Sequence, residues 1–210
     1  SWEMNFPIRG YNECLITYIL AAASPTHGVP AEVYHEGWAE SGKIVGPHEL
    51  ESYKLNLRYQ SNSGVGPLFW AHYSFLGLDP TGLKDRYTDY FQEMKNYTLI
   101  NRAYCIRNPK GYKGYGKDCW GLTASYSVKG YAAHEPDEKG DYGVITPTAS
   151  ISSTISGFSL LEYMLNSIFL ASKTSLLLSS GECSAFTIAS STRLSPSPYP
   201  LLMMATPPSL

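Results

Sequence analysis

The sequence lacks the features that mark several large classes of protein. Its 16 Lys and Arg residues against 18 Asp and Glu residues give a formal net charge of -2, and no run of basic residues supplies a local positive patch. Because polyanion binding needs clustered positive charge, we expect no nucleic-acid partner. The longest apolar stretches, CLITYILAAAS and SIFLAS, fall short of the roughly 18 residues that a membrane-spanning helix needs. The sequence therefore predicts no membrane span.

Cysteines are few, and they form no metal-binding pattern. The four, Cys14, Cys105, Cys119 and Cys183, make no CxxC pair, and no His-x-x-x-His motif accompanies them. We therefore expect no metal and no other cofactor. Cys105 and Cys119 flank a short Gly/Tyr-rich loop, where a disulfide in an oxidising compartment and two buried thiols are both compatible with the sequence.

The last quarter of the chain lacks charge and tryptophan. All four tryptophans and all six aspartates precede residue 152, whereas residues 152–210 hold fifteen serines, eleven leucines and only four charged side chains. This segment shows no sustained helical or strand period, and its end is rich in Pro and Ser. A disordered tail is one interpretation, but soluble tails are usually charged, and this one is apolar and nearly uncharged.

Before residue 152 the chain alternates short helices with long loops. Asn12, followed by ECLITYILAAAS and Pro25, predicts a capped helix with an apolar face made by Leu15, Ile16, Ile19 and Leu20. The next segment, PTHGVPAEVYHEGWAESG, has no period and predicts a long loop.

Two further helical stretches come next. GPLFWAHYSFLG predicts a short helix that starts at Gly66-Pro67 and stops at Gly77. DPTGLKDRYTDYFQEMKNYTLINRAYCI predicts a turn and then one long helix or two consecutive helices, with an apolar face of Leu83, Tyr87, Tyr90, Phe91 and Met94. This order favours an all-α architecture whose working surface is built from loops.

Those loops mix aromatic side chains with carboxylates, amides and guanidinium groups. The set comprises Trp2, Glu3, Asn5, Arg9, Tyr11, Asn12, Glu13, Trp38, Trp70, His72, Asn101, Arg102, Asp118, Trp120, Tyr126, Tyr131 and His134. Aromatic faces stack on the C–H surfaces of sugar rings, and the polar groups match sugar hydroxyls. Any single aromatic is more often a core residue. As a group they predict a groove for a long neutral carbohydrate.

Four blocks of the sequence resemble a known family. They are WEMNFPIRGYNECLITYILAAASPTHGVPAEVYHEGWA, GPLFWAHYSFLGLDPTGL, LINRAYCIRNPKGYKGYGKDCWGLTASYSVKGYAAHEP and DYGVITPTASISS. In this order they are similar to consecutive blocks of the glycoamylase-like family, glycoside hydrolase family 144, which contains bacterial endo-β-1,2-glucanases. The resemblance implies an (α/α)₆ toroid, of which this chain is about the second half. It also implies a β-glucan substrate, a monomer, and a periplasmic, cell-surface or secreted location.

The resemblance also implies roles for individual residues. Glu13, in GYNECL, matches the position of the general acid in an inverting mechanism. From the residues alone, Glu13 is equally compatible with a helix first-turn carboxylate stabilised by the helix dipole. The second catalytic carboxylate is not assigned. Contacts to sugar are expected from Trp2, Glu3, Asn5, Arg9, Tyr11, Asn12, Trp70, His72, Arg102, Trp120 and Tyr126.

The resemblance stops near Ser153, and a shifted reading frame accounts for the different character of the remaining residues. Read one base earlier, the codons permitted for residues 184–190 encode Gly-Phe-Tyr-Asp-Ser-Phe, and those for residues 201–205 encode Ile-Asp-Asp-Gly. Both are similar to blocks that the family has after this point. We therefore predict a catalytic-domain fragment at residues 1–153 and an out-of-frame, not natively folded tail at residues 154–210. A divergent but genuine C-terminus is the alternative.

Three functions are compatible with these observations. The first is a glycoside hydrolase that acts on β-1,2-glucan, with endo- and exo-action both open. The second is a non-catalytic glucan-binding remnant or an inactive truncated fragment. The third is the glycoamylase-like region of a cyclic glucan synthase, which would change the reaction and keep the polymer.

Overall fold

The computed structural model describes residues 7–59, 64–117 and 119–146 of the 210-residue chain. Its helices and strands, in chain order, are α1 (Leu15–Ala22), α2 (Ala31–Val33), β1 (Val45–Leu50), β2 (Tyr53–Leu57), α3 (Leu68–His72), α4 (Tyr90–Arg107), β3 (Ser125–Ser127) and β4 (Gly130–Ala132). The predicted boundary at residue 153 and the predicted tail at residues 154–210 lie outside the described residues.

The prediction of an all-α architecture is wrong in part, because the described residues also contain two β-hairpins. β1 pairs antiparallel with β2, and β3 pairs antiparallel with β4. In β2, Leu55 and Leu57 are fully buried while the residues between and beside them are exposed, so the strand presents one face to the core. The described part of the chain is therefore helix-rich with two small sheets.

α1 begins later than predicted, and its buried face is narrower. The helix starts at Leu15 rather than directly after Asn12, because the Asn12 side chain bonds the backbone before the helix begins. Leu15 is buried and Ile19 packs partly against the core, whereas Leu20 is 56% exposed. The segment predicted as a long loop after α1 is partly helical, since α2 continues into a π-helical turn at Tyr34–Trp38.

The short helix predicted around residue 70 is confirmed. α3 follows Pro67, runs on into a 3₁₀ turn at Tyr73–Leu76, and ends at Gly77. Proline suits this start because its fixed φ and missing N–H cost nothing at the beginning of a helix.

α4 is one helix, and its beginning differs from the prediction. Asp89 accepts a hydrogen bond from the Gln92 N–H and so caps the helix, which starts at Tyr90. Leu83 and Tyr87 therefore lie before α4, not on its apolar face. At the other end, Asn108 takes a left-handed conformation with φ of 46° and stops the helix.

The core is unusually rich in aromatic rings. Tyr11 lies among Trp38, Tyr59 and Tyr90, with ring centroids 6.3, 5.0 and 6.1 Å away. These rings connect the segment before α1, the π-helical turn, the segment after β2 and the start of α4. Each pair adopts an edge-on or offset arrangement of the kind that aromatic quadrupoles favour.

One buried carboxylate joins β2 to α4. Glu93 of α4 is 1% exposed, and its oxygens accept hydrogen bonds from the N–H groups of Asn56 and Leu57, at 3.0 to 3.1 Å, and from the Tyr59 hydroxyl. Burial raises the pKa of Glu93, while the two backbone N–H groups and the hydroxyl act in the opposite direction. β2 is thus bonded to a helix side chain at its last two residues.

The structure decides between the two alternatives for the cysteines of the Gly/Tyr loop. Cys105 and Cys119 are thiols rather than the halves of a disulfide, and Cys105 is completely buried. Burial raises the pKa of the Cys105 thiol to about 12, so this group is an inert core residue.

Candidate functional site

The candidate general acid follows a turn that is fixed by Asn12. Asn12 Oδ1 accepts a hydrogen bond from the Cys14 N–H at 2.8 Å, and Asn12 Nδ2 donates to the Arg9 carbonyl at 3.2 Å. An amide that bonds the backbone two residues ahead forms an Asx turn. The side chain of Asn12 therefore holds the backbone on both sides of Glu13.

A second anchor comes from the 3₁₀ turn after α3. Ser74 Oγ donates a hydrogen bond to the Glu13 carbonyl at 2.8 Å and accepts one from the Ile16 N–H at 3.2 Å. Ser74 is 2% exposed, so these bonds are shielded from water. Because its backbone is held by Asn12 and by Ser74, Glu13 projects from a fixed point while its side chain remains half-buried.

Tyr97 of α4 bonds the backbone of the segment that precedes α3. The Tyr97 hydroxyl accepts a hydrogen bond from the Gly66 N–H at 2.6 Å and donates to the Pro67 carbonyl at 3.1 Å. Burial is the main reason that the pKa of Tyr97 is raised, the Gly66 bond lowers it, and electrostatic contributions from Tyr11, Glu135 and Glu13 raise it further. Tyr97 therefore joins α4 to the segment that enters α3.

The loop before β3 is attached to the same end of α3. The Leu68 N–H donates to the Leu122 carbonyl at 3.1 Å, and the Phe69 N–H donates to Thr123 Oγ1 at 3.2 Å. Asn101 of α4 bonds the Leu122 backbone in both directions, at 3.0 and 2.9 Å. These bonds satisfy N–H groups that a helix start leaves without partners, and they fix the loop in place.

Glu135 is a functional candidate that the sequence prediction missed. It is half-buried in the loop after β4, where its N–H donates to the Gly140 carbonyl at 3.3 Å. Its side chain packs over Gly140 so closely that a Cβ atom on residue 140 would lie 2.4 Å from Glu135 Cγ. In sequence the EPDEKGD segment has the composition of a solvated turn, so no local signal separated this carboxylate from its neighbours.

Tyr11, a predicted sugar contact, is a core residue in the structure. It is 1% exposed, and its hydroxyl has no hydrogen-bond partner among the described residues. Burial raises the pKa of Tyr11, and the charges of Glu93 and Tyr90 raise it further. The hydroxyl therefore stays protonated at every ordinary pH.

Two more predicted contacts, His72 and Trp120, are also buried. His72 is 8% exposed, its Nε2 lies 3.0 Å from Thr98 Oγ1, and burial lowers its pKa to about 4. Its ring is therefore neutral near neutral pH. Trp120 is 3% exposed and belongs to the hydrophobic core.

Arg9 lies at the surface beside a cavity of about 480 Å³. Its guanidinium forms an ion pair with Glu40 at 3.3 Å, and the side chains of Lys43 and Arg58 line the same cavity. The cavity carries more positive than negative side chains and is open to solvent.

The remaining described contacts are partly or largely exposed. Trp70 is half-buried and lies against Gly66, where a Cβ atom would come within 2.3 Å of the indole ring. Arg102 is half-buried and donates to the Lys117 carbonyl at 3.4 Å. Tyr126 of β3 is 80% exposed.

Three predicted contacts, Trp2, Glu3 and Asn5, lie outside the described residues. Among residues 7–59, 64–117 and 119–146, no group of three or more His, Cys, Asp or Glu side chains could hold a metal ion. The helices in those ranges include none that is both long and apolar enough to cross a bilayer.

Comparison with known proteins identifies similar chains of known structure and function. Residues 5–193 match the model of the Glycoamylase family, which is described as "Putative glucoamylase". The chain is 41% identical over 167 residues to an exo-β-1,2-glucooligosaccharide sophorohydrolase, acting at the non-reducing end, from Parabacteroides distasonis. It is 56% identical, with a TM-score of 0.70, to an endo-β-1,2-glucanase from Chitinophaga pinensis, solved in complex with sophorotriose and glucose. A Bacteroides caccae protein with the same description as the family is 63% identical, again with a TM-score of 0.70.

These relatives are longer than this chain. The matches cover 73% of the chain and 23% of the sophorohydrolase, 86% of the chain and 41% of the Chitinophaga enzyme, and 84% of the chain and 41% of the Bacteroides caccae protein. The family match nevertheless includes nine-tenths of the sequence, because it spans residues 5–193 of 210. The chain therefore belongs to the glycoamylase family.

Proposed function

We propose that this chain is part of a glycoside hydrolase that cleaves β-1,2-glucan, an oligo- or polysaccharide partner. The observation that carries the proposal is the backbone of Glu13, which Asn12 and Ser74 hold at the start of α1. It is supported by relatives that are named as β-1,2-glucan hydrolases. A reactive carboxyl group needs such a fixed position to meet a glycosidic oxygen.

In the proposed mechanism, Glu13 is the general acid. Its carboxyl group protonates the leaving glycosidic oxygen, and a second carboxylate activates water on the opposite face of the sugar, which inverts the anomeric centre. Sugar hydroxyls are held by polar side chains near the surface, and among the predicted contacts Arg9 and Arg102 supply guanidinium groups. Glu135 joins the candidates for the second carboxylate because it is half-buried in the loop that directly follows the β3–β4 hairpin.

We further propose that α1, α3 and α4 belong to about half of an (α/α)₆ toroid. The proposal is supported by TM-scores of 0.70 against structures of which the chain covers about two-fifths. In such a ring the loops between helices form the substrate groove. We propose that the complete protein is a monomer, located in the periplasm, at the cell surface or outside the cell, where polymeric glucan is encountered.

The test of the proposed function is Glu13→Gln in a protein of the relatives' full length. Glutamine keeps the shape of the side chain but cannot donate the proton, so we expect turnover of β-1,2-glucan to fall by roughly 10² to 10⁴-fold while glucan binding survives. Release of reducing ends measures turnover, and product length separates exo- from endo-action.

A matched control is Glu36→Gln, which changes an exposed glutamate beyond α2 and should leave turnover unchanged. If the Glu13 variant kept more than about a tenth of the activity, Glu13 would not be the acid.

A second candidate function is glucan binding without cleavage by the 210-residue chain alone. The observation that favours it is the coverage, since this chain spans 41% of the solved relatives. Binding of β-1,2-glucan by the isolated chain without release of reducing ends would support it, and cleavage by the isolated chain would exclude it.

A further inference from the structure

The hairpin formed by β3 and β4 exposes a pair of aromatic rings. Tyr126 lies directly opposite Tyr131, their ring centroids are 5.4 Å apart, and their planes are inclined by 62°. Tyr126 is 80% exposed and Tyr131 is 63% exposed. The two rings therefore form an open corner, with one ring face and one ring edge available to a ligand.

The segments before and after this hairpin both contain residues of the candidate site. Thr123, which caps α3, precedes Tyr126 by three residues, or at most about 10 Å along an extended strand. Glu135, a candidate for the second carboxylate, follows Tyr131 by four residues. The aromatic corner is thus attached at the start of α3, a helix of five residues, and Ser74, which bonds the Glu13 carbonyl, lies in the turn at the other end of that helix.

The hairpin is chemically unlike a protein-binding surface. Apart from the two rings and Val128 at the turn, its residues are small or polar: Ser125, Ser127, Lys129, Gly130 and Ala132. A protein interface buries a continuous apolar centre, which this hairpin does not offer. Isolated aromatic faces beside polar groups are what the C–H surface and the hydroxyls of a sugar require.

We propose that Tyr126 and Tyr131 together bind a stretch of the glucan chain outside the units that are cleaved. The inference rests on the proposed function and deepens it, because it assigns to the hairpin the preference for polymer over short oligosaccharide. A chain that passes Glu13 and continues across the hairpin gains stacking contacts that a short substrate cannot reach. Such contacts lower the KM for polymer and leave the chemical step unchanged.

The experiment uses the full-length protein with Tyr126→Ala, Tyr131→Ala and the double substitution. For the double variant we expect the KM for long β-1,2-glucan to rise about tenfold with kcat unchanged, and the KM for a short β-1,2-linked oligosaccharide to stay the same. Tyr131→Phe, which keeps the ring, should restore most of the affinity. Phe91→Ala is the matched control, since Phe91 is a 39% exposed aromatic side chain in the first turn of α4.

Direct binding of long β-1,2-glucan, measured in a Glu13→Gln background, separates this inference from the proposed function. If glucan is cleaved and neither KM nor binding responds to the tyrosines, the hairpin inference is wrong and the hydrolase proposal stands. If no glucan is cleaved but binding depends on the tyrosines, the hydrolase proposal is wrong and the hairpin inference stands. A change in oligomeric state, or equal losses on long and short substrates, would show that the hairpin contacts protein instead and would overturn the inference.

Discussion

Ser74 shows how one hydroxyl group positions a residue that lies 61 places away in the chain. By donating to the Glu13 carbonyl and accepting from the Ile16 N–H, it connects the turn after α3 to the first turn of α1. A buried hydroxyl with both functions in use cannot be replaced without leaving a polar group unpaired.

Substitution Ser74→Ala should affect both folding and turnover. It leaves the Glu13 carbonyl and the Ile16 N–H without this partner, so we expect a loss of about 1 to 3 kcal/mol in the free energy of unfolding. It should also lower kcat more than it raises KM, because the acid loses its fixed position while the sugar contacts remain. Denaturant unfolding and steady-state kinetics of the full-length protein measure the two effects.

Ser24→Ala provides the comparison, because Ser24 Oγ accepts only an exposed, local hydrogen bond from the His27 N–H. It should change neither quantity measurably. Equal kinetics for the Ser74 variant and the unmodified protein would show that Ser74 has no positioning role.

His72 predicts a dependence of stability on pH. Burial lowers its pKa from 6.5 to about 4, so between these values the unfolded chain binds a proton that the folded chain does not. The free energy of unfolding should therefore fall as the pH drops from about 6.5 to about 4, by up to about 3 kcal/mol, and this contribution is fully present above that window. Thermal melts across the window, with His72→Gln and the exposed His27→Gln side by side, test this.

If the unfolding temperature of His72→Gln still falls with pH across this window, other groups cause the pH dependence. A slope that disappears in both variants would point to a general effect of removing histidine.

At the scale of elements, β2 and α4 form one unit through Glu93. The carboxylate accepts from two successive backbone N–H groups of the strand and from the hydroxyls of Tyr59 and Thr88. Its oxygens therefore meet donors only, which an amide group cannot match.

Glu93→Gln should for that reason be costly despite its similar size. The amide nitrogen would face N–H and O–H donors, and we expect the free energy of unfolding to fall by about 3 kcal/mol. Glu49→Gln on β1, where the side chain is exposed, should have little effect. Chemical denaturation compares them, and a cost below about 0.5 kcal/mol for Glu93→Gln would show that the strand does not depend on this carboxylate.

The elements that were predicted correctly carry local signals, and those that were missed do not. α3 follows from Pro67 and Gly77, which mark its ends. The alternation at Leu55 and Leu57 was a strand signal. The turn before this strand has positive φ at Glu51 and Ser52, and neither residue type is typical of such a turn.

Burial of polar groups explains the error on the apolar face of α4. Tyr90 and Met94 of the predicted face are buried, but Phe91 is 39% exposed. The buried face also holds Glu93, Thr98 and Asn101, so a search for an apolar stripe found only part of it. Similarly, Tyr11 and Trp120 are the residue types that bind sugars and also the types that fill cores. Only contacts with distant parts of the chain decide whether such a residue lies in the core or at a binding surface.

At the scale of the whole molecule, the extent of the family match bears on the proposed reading frame. The match runs to residue 193, whereas the predicted boundary of the domain fragment is residue 153. The frameshift and the boundary stay predictions, because residues 147–210 lie outside the described part of the chain.

The nucleotide sequence of codons 150 to 160 provides the test. We expect that inserting or removing one base there opens a frame that encodes the Gly-Phe-Tyr-Asp block and the later aspartate block. Stop codons in both alternative frames before codon 184 would instead identify the written C-terminus as genuine.

The paired hydrogen bonds between Asn101 and Leu122 have a mechanical consequence. By accepting and donating on the same residue, the amide imitates a neighbouring β-strand one residue long. The Gly/Tyr-rich segment that follows α4 is thereby bonded at its C-terminal end to Asn101 in α4. An insertion or deletion in that segment would be accommodated before Leu122. The hairpin beyond Thr123 would therefore keep its orientation relative to α4.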